Sequence, residues 1–202
     1  ALAGLAVRLL ADSPSSALLD SGCGEGYYTA GLYHALSAAG HTPRAAGVDL
    51  SRSALKRAAR RLPEGEFAVG SVYHLPLPDG AVQLLMNVFS PLAAEEFARV
   101  LAPGGFFLYV VPSARHLWEM KQVLYDRPYE NPVKTEDYPG FVHRETVPLR
   151  FSAQLDRAGD IMALFGMTPY AWKTPRAGVE RLRALDCLTT QVGFDIHVYQ
   201  RA

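Results

Sequence analysis

The segment Leu18-Leu19-Asp20-Ser21-Gly22-Cys23-Gly24-Glu25-Gly26-Tyr27-Tyr28 constrains the fold more than any other part of this chain. A short apolar run ends in an acidic residue, alternating glycines follow, and a helical pattern begins. Glycines in such a turn permit positive φ and let a ligand approach the main chain closely. A strand–glycine loop–helix unit belongs to an open parallel sheet, where ligands bind beyond the carboxyl ends of the strands at the point where strand order reverses. The alternation continues through the first half. Ala17–Asp20, Ala45–Asp49, Glu66–Val69, Ala81–Val88 and Phe106–Val111 read as strands, the last almost wholly apolar and therefore central. Helices are expected at Thr29–Ala39, closed by Gly40, from an N-cap at Ser51 to Leu62, stopped by Pro63, and at Ala94–Leu101, before Pro103-Gly104-Gly105. The expected class is α/β: a mostly parallel, seven-stranded sheet with helices on both faces.

The remainder is less regular. Ala1–Leu10 reads as an amphipathic helix and His116–Tyr125 as a second one. Asp126–Gly140, rich in Pro, Tyr and charge, reads as a long surface loop or lid. Residues 112–150 as a whole are expected to form a lid or substrate-recognition insertion in one domain spanning 1–202. Val142–Phe151 is strand-like, Ser152–Phe165 and Pro175–Leu185 look helical, and Leu188–Gln200 is β-rich with the makings of a hairpin. A chain of 202 residues can bury a sizeable core, and 49% hydrophobic residues exclude a disordered one. Cys23 and Cys187 are too few for a disulfide framework and show no zinc spacing. No metal site is therefore expected, and a reducing, cytoplasmic compartment is. No apolar run has the length of a bilayer span, and Ala1–Leu10 lacks a signal-peptide cleavage pattern. With 20 basic and 20 acidic residues, global charge offers polyanions nothing, so any such surface must be local. The chain begins with Ala rather than Met, and residues upstream are expected to be missing.

The ligand follows from the loop's charge. A dinucleotide sets its pyrophosphate against a helix N-terminus, usually behind G-x-G-x-x-G. Here the spacing is G-x-G-x-G, with Asp20 two residues before the first glycine and Glu25 inside the loop. Two carboxylates would repel a pyrophosphate and suit a cationic amino group, such as the methionine end of S-adenosyl-L-methionine. Asp49, ending the second strand, can accept from both ribose hydroxyls, a role that dinucleotide enzymes share. The bland alternative is a structural glycine-rich turn.

These residues resemble a known superfamily. Leu18–Leu32 is similar to motif I of the class I S-adenosylmethionine-dependent methyltransferases, a Rossmann-like fold. Val48-Asp49-Leu50-Ser51 resembles their ribose-binding segment. Gly70-Ser71-Val72 with Leu75-Pro76-Leu77-Pro78-Asp79 resembles the adenine segment, and Leu101-Ala102-Pro103-Gly104-Gly105 the turn before the fifth strand. A closer resemblance runs through Asp20–Thr29, Ala94–Val100, Arg115–Glu119, Met167-Thr168-Pro169 and Asp195–Arg201, to the bacterial 23S rRNA guanine-N1-methyltransferases. That family modifies a guanine in a hairpin loop of domain II, and some members confer macrolide resistance. The resemblance implies that Asp20, Gly22, Cys23, Gly24, Gly26 and Tyr27 hold the methionine part of the cofactor. It further implies Asp49 and Leu50 at the ribose, Ser71 and Val72 at the adenine, and Asn87 beside the cofactor. Three departures stand out. The family's N-terminal zinc module is absent from these residues. Ser71 replaces a frequent Asp. Asn87-Val88-Phe89-Ser90-Pro91 stands where amino-methylating enzymes have Asn-Pro-Pro-Tyr, which argues against an exocyclic amine and is compatible with a ring nitrogen.

On this reading the acceptor enters over the end of the fourth strand. Asn87 hydrogen-bonds the guanine edge, Phe89 stacks on the base, and His116 is the candidate that reaches the same pocket from beyond the fifth strand. The expected partner is 23S rRNA, with a small-molecule acceptor as the alternative, no membrane, and room for a homodimer. A nucleotide-binding module that has lost catalysis is the third reading. Arg52, Lys56, Arg57, Arg60 and Arg61 share one helix, either as a phosphate-tracking stripe or as a solvated face. The aromatic and basic loop Tyr125–His143 could contact RNA or pack on the core. Met167, Tyr170 and Trp172 either border the acceptor pocket or form a core stripe. His197 is expected to be structural, and Cys23 a small loop residue rather than a nucleophile.

Overall fold

A computed structural model describes residues 1–13, 16–132 and 137–202. The strands are β1 (Ala17–Ser21), β2 (Arg44–Asp49), β3 (Glu66–Val69), β4 (Val82–Val88), β5 (Leu101–Pro112), β6 (Phe141–Leu155) and β7 (Leu188–Arg201). They form one seven-stranded sheet in the order β3-β2-β1-β4-β5-β7-β6. β1 pairs in parallel with β2 and β4, β2 with β3, and β4 with β5. The chain moves outward from β1 to β3 and then crosses back to β4 on the other side of β1. The carboxyl ends of β1 and β4 thus adjoin at the switch point, with Asp20 in register with Met86.

The helices are α1 (Leu2–Leu9), α2 (Tyr27–Ala38), α3 (Arg52–Arg61), α4 (Ala94–Val100), α5 (Trp118–Leu124), α6 (Ala158–Gly166) and α7 (Arg176–Arg183), with a 3-10 turn at Pro169–Trp172. Sequence signals set several of these limits. Ser51 caps α3, its Oγ accepting from the Ala54 N–H at 3.3 Å. Gly40 adopts φ +88° just past the end of α2. Every residue of β1 is buried because successive side chains meet different helices. Asp20 reaches Thr29 of α2, while Leu19 packs with Leu85 and Phe97 of α4.

Contacts divide the chain into two compact units, one drawn from residues 1–111, 135–147 and 196–202, the other from 112–134 and 148–195. The first unit's core includes Leu19, Val48, Leu85, Phe97 and Phe107. Phe107 anchors its aromatic part, with ring centroids of Phe97, Phe141 and Tyr199 at 5.3, 5.5 and 5.7 Å. The second unit's core gathers Leu117, Met120, Leu124, Ile161, Phe165 and Leu182. Gly178 of α7 lies against the Leu124 carbonyl so closely that any Cβ there would overlap it.

Two expectations fail at the level of elements. Ser152–Phe165 is not one helix: β6 continues through Leu155, and α6 begins only at Ala158. Ala153 and Leu155 are partly buried while Ser152 and Gln154 are exposed, the two-residue period of a strand. Leu188–Gln200 is not a hairpin but one continuous strand. Its Gly193 answers close approach rather than a turn, since an added Cβ would overlap Ser113 Oγ and lie 2.9 Å from Arg150 Cδ. Within the lid expected over 112–150, residues 133–136 lie outside the described residues.

Gly26 precedes α2 at φ +71°, and a Cβ there would sit 2.9 Å from Ala58 Cβ of α3. Gly31, inside α2, has open space around it. Gly26→Ala should therefore lower stability by about 1–3 kcal/mol. Gly31→Ala should leave it unchanged or raise it by about 0.5–1 kcal/mol. Urea midpoints of the two variants check both.

Candidate cofactor and acceptor site

The loop from β1 into α2 turns on three left-handed glycines, Gly22 (φ +80°), Gly24 (φ +52°) and Gly26 (φ +71°). Side chains are strained in this region, so the spacing seen in the sequence is a backbone requirement. Gly22 and Cys23 donate to the Val48 carbonyl at 2.8 and 3.1 Å, and Gly26 to that of Cys23 at 2.9 Å. Asp49 braces the loop from β2: Oδ2 accepts from the Gly24 N–H (2.9 Å) and Oδ1 from the Ser51 N–H (2.8 Å). Each oxygen keeps a further lone pair for an incoming hydroxyl.

Asp20 is 2% exposed and accepts from the Thr29 hydroxyl at 2.6 Å. Burial pushes its carboxyl up to about 7, and the Asp49 charge adds to that, against the pull of the Thr29 bond. A cation placed beside it would reverse the shift. Glu25 behaves differently: Arg57 of α3 takes its carboxylate at 2.5 Å, and Arg61 donates to its carbonyl at 3.1 Å. The loop's negative charge toward a ligand therefore rests on Asp20 and Asp49. Cys23 is buried, and burial with the two carboxylates pushes its thiol up to about 12, which keeps it protonated and not nucleophilic.

The adenine candidates follow β3. Val72 is buried, and Ser71 Oγ accepts from the Tyr73 N–H at 3.2 Å. Leu50 and Tyr27 are large apolar side chains left 76% and 67% exposed beside the loop, an arrangement that suits a ligand covering them.

At the end of β4, Asn87 is fully buried, and its Nδ2 donates to the Pro91 carbonyl at 3.0 Å. Asn87 Oδ1 has no partner among the described residues, nor does Ser21 Oγ at the end of β1. A buried polar atom left unpaired costs about 1–3 kcal/mol, and such atoms concentrate where a ligand completes them. Two residues further, Phe89 holds φ +55° and is 55% exposed. A left-handed bulky residue stores strain of a kind found at ligand clamps. Ser90 Oγ occupies the space a Cβ at Gly22 would fill, so this loop rests on the cofactor loop.

Asn87, Phe89 and the cofactor candidates are thus assembled in the first unit, whereas His116 belongs to the second. Its Nδ1 accepts from the Gly193 N–H at 3.3 Å, its ring lies 4.8 Å from that of Phe194, and burial pulls its pKa down to about 4. The neutral ring then carries its proton on Nε2, which makes His116 a donor rather than a base at neutral pH. His197 is buried in β7 and shares the Thr146 hydroxyl (2.9 Å) with His143 (3.0 Å). Met167 and Trp172, at 84% and 88% exposure, are not core residues, while Tyr170 faces Lys121.

Sequence reasoning passed over Thr29, Ser21, Ser90 and Lys121. Lys121 is fully buried, with Nζ donating to the Tyr129 carbonyl (2.9 Å) and Asn131 Oδ1 (2.7 Å) and lying 4.6 Å from the Tyr129 ring. Burial lowers its pKa. Its signal was a lysine in the apolar row formed by Leu117, Met120 and Leu124.

Residues 18–105 match the family described as a methyltransferase domain. In sequence the chain is 33% identical over 184 residues to a protein of Bacillus subtilis (strain 168) provisionally named a 23S rRNA (guanine-N(1)-)-methyltransferase, covering 89% of this chain and 64% of that protein. It is 36% identical over 124 residues to the 23S rRNA (guanine(748)-N(1))-methyltransferase of Streptomyces fradiae, covering 61% of this chain and 43% of that protein. The chain thus spans less than two thirds of the length of these relatives. In structure it resembles the geranyl diphosphate C-methyltransferase of Streptomyces coelicolor A3(2), solved with S-adenosyl-L-homocysteine, at a TM-score of 0.57 and 17% identity over 98% of this chain and 79% of that one. A glycine-turned loop at the switch point of this sheet, matched to the methyltransferase domain, makes this a Rossmann-like class I methyltransferase domain, whose cofactor is S-adenosyl-L-methionine. Among S-adenosyl-L-methionine-dependent methyltransferases, its sequence resembles the 23S rRNA (guanine-N1)-methyltransferases.

The pH dependence of stability tests the buried carboxyl. A group whose folded pKa rises from 3.8 to about 7 stabilises the fold below pH 3.8, and that contribution is lost as pH rises through 7. Asp20→Asn should therefore flatten the decline of the ligand-free protein's urea midpoint between pH 4 and 7, and be the more stable form at pH 8.

Proposed function

We propose that this chain transfers a methyl group from S-adenosyl-L-methionine to N1 of a guanine in a 23S rRNA hairpin loop. The observation that carries this reading is the reach of the similarity. The match to the Bacillus subtilis relative covers 89% of the chain and so extends well past residue 105, where the general methyltransferase match ends. The acceptor loop supports it, because Asn87-Val88-Phe89-Ser90 lacks the prolines and tyrosine typical of exocyclic-amine methylation.

The cofactor supplies an electrophilic methyl group, and the residues supply position. The left-handed backbone at Gly22, Gly24 and Gly26 lets the methionine part lie on the loop between Cys23 and Tyr27. Asp20, ionised, holds its ammonium group. Asp49 accepts from the ribose hydroxyls through the lone pairs that Gly24 and Ser51 leave free. Leu50 and Val72 flank the adenine, and Ser71 lies at its edge. Asn87 Oδ1 accepts a hydrogen bond from the guanine edge, which satisfies that buried atom, and Phe89 stacks on the splayed base. Held by these residues, the cofactor would present its methyl group to the ring nitrogen of a base over Asn87 and Phe89, the in-line approach that transfer requires. The N1 proton would leave to water, and Asn87 would orient the base without accepting it. The substrate sets the compartment as the cytoplasm, and among the described residues no helix is long and apolar enough to cross a membrane.

Incubation with labelled S-adenosyl-L-methionine and transcribed 23S rRNA should label one guanine, mapped by reverse-transcription arrest at N1. Label entering a small molecule and no RNA would overturn the reading. S-adenosyl-L-methionine should raise the melting temperature, and Asp49→Ala should abolish the rise. Because only ionised Asp20 pairs with the ammonium group, cofactor affinity should climb about tenfold from pH 6 to pH 8. Calorimetric titration should find that climb gone in Asp20→Asn.

A further inference from the structure

Helix α3 carries Arg52, Lys56, Arg57, Arg60 and Arg61 in ten residues, with no acidic residue among them. The structure sorts these cations into two groups. Arg57 and Arg61 are spent on Glu25, and Arg61 also lies 5.6 Å from the centre of the Tyr27 ring. Arg52, Lys56 and Arg60 are exposed and form no hydrogen bond or ion pair with any described residue. Their spacing of four sets them in one row, about 6 Å apart along the axis. Leu55 and Ala58 turn the opposite side of the helix into the core.

We propose that this row is a docking surface for the phosphate backbone of the RNA, a proposal that rests on the function proposed above. The row works against the helix that carries it. Like charges four residues apart repel. Arg52, directly after the Ser51 cap, puts a cation at the positive end of the helix dipole. Nor does it follow from a basic protein, since the chain's net charge is zero. A solvated face needs only mixed charges, whereas a polyanion requires one sign at regular intervals. The apolar side of α3 is buried, which leaves it no face to insert into a bilayer. The surface also borders the cofactor loop, because Ala58 of α3 lies against Gly26. A regular row of cations with no acidic residue on its helix suits a phosphate backbone.

The triple variant Arg52→Gln/Lys56→Gln/Arg60→Gln tests the row in the 202-residue chain. A labelled transcript of the rRNA hairpin is titrated by fluorescence anisotropy across a range of KCl concentrations. Removing three phosphate contacts should reduce the slope of log affinity against log salt by about two to three, and weaken binding at low salt by more than about tenfold. The KM for RNA should rise, while melting-temperature stabilisation by S-adenosyl-L-methionine persists and shows that the fold and cofactor site are intact. Arg57→Gln, whose cation is already engaged by Glu25, should change the slope less than any one of the three. An unchanged slope and KM in the triple variant, with the parent still methylating RNA, sinks the docking surface alone. A parent that neither binds nor methylates RNA removes the function beneath it. Binding of poly-glutamate as tight as RNA at equal salt, and lost in the triple variant, would overturn the proposal in favour of an acidic protein partner.

Discussion

The carboxylate of Asp49 holds the site together. It stands at the end of β2, yet its two oxygens reach the backbone of the loop after β1 and the residue that caps α3. The glycine loop and the β2–α3 junction, 25 residues apart at Gly24 and Asp49, are therefore tied together by one side chain. With the Val48 carbonyl accepting from Gly22 and Cys23, the glycine loop is held from the neighbouring strand rather than by its own contacts. Such bracing suits a loop whose left-handed residues gain little from local hydrogen bonding, and it fixes the loop's shape before any ligand arrives.

Charge at the site is distributed by partner as much as by residue type. Asp20, Glu25 and Asp49 lie within one loop's reach. Glu25 is neutralised by Arg57, Asp49 is held by backbone N–H groups, and Asp20 has a single hydroxyl for company. Asp20 is thus left with a carboxyl pushed up to about 7, placed to respond to a cationic ligand. The acceptor side has the same logic in neutral form: Asn87 and Ser21 each bury a polar atom that has no partner among the described residues, and Phe89, two residues past Asn87, is held in a strained conformation. Unmade bonds and stored strain are both energy that a bound ligand can recover.

The fold was largely legible. The alternation of apolar runs and helical patterns, the Ser51 cap and the glycine after α2 located the first five strands and their helices to within a few residues, because each signal is local. It failed where local signals compete. Ser152–Leu155 carries apolar residues that fit a helix or a strand, and pairing in the sheet decided for the strand. Leu188–Gln200 suggested a hairpin and proved to be one strand, whose Gly193 lies where Ser113 and Arg150 pass too near for a side chain.

The amino-acid sequence by itself determined the glycine loop, the acid at the end of each of the first two strands and the class of cofactor, since these follow from φ values that only glycine tolerates and from charge at fixed spacing. Tertiary structure alone decided which charges remain free. Glu25 and Arg57 are 32 residues apart and cancel, while Arg52, Lys56 and Arg60 on the same helix do not. It also decided that His116 sits with its acceptor nitrogen already taken by Gly193 and that Lys121 is buried among tyrosines. Partnering of this kind depends on which surfaces the sheet and helices bring within hydrogen-bond distance, and no local pattern in the chain encodes that distance.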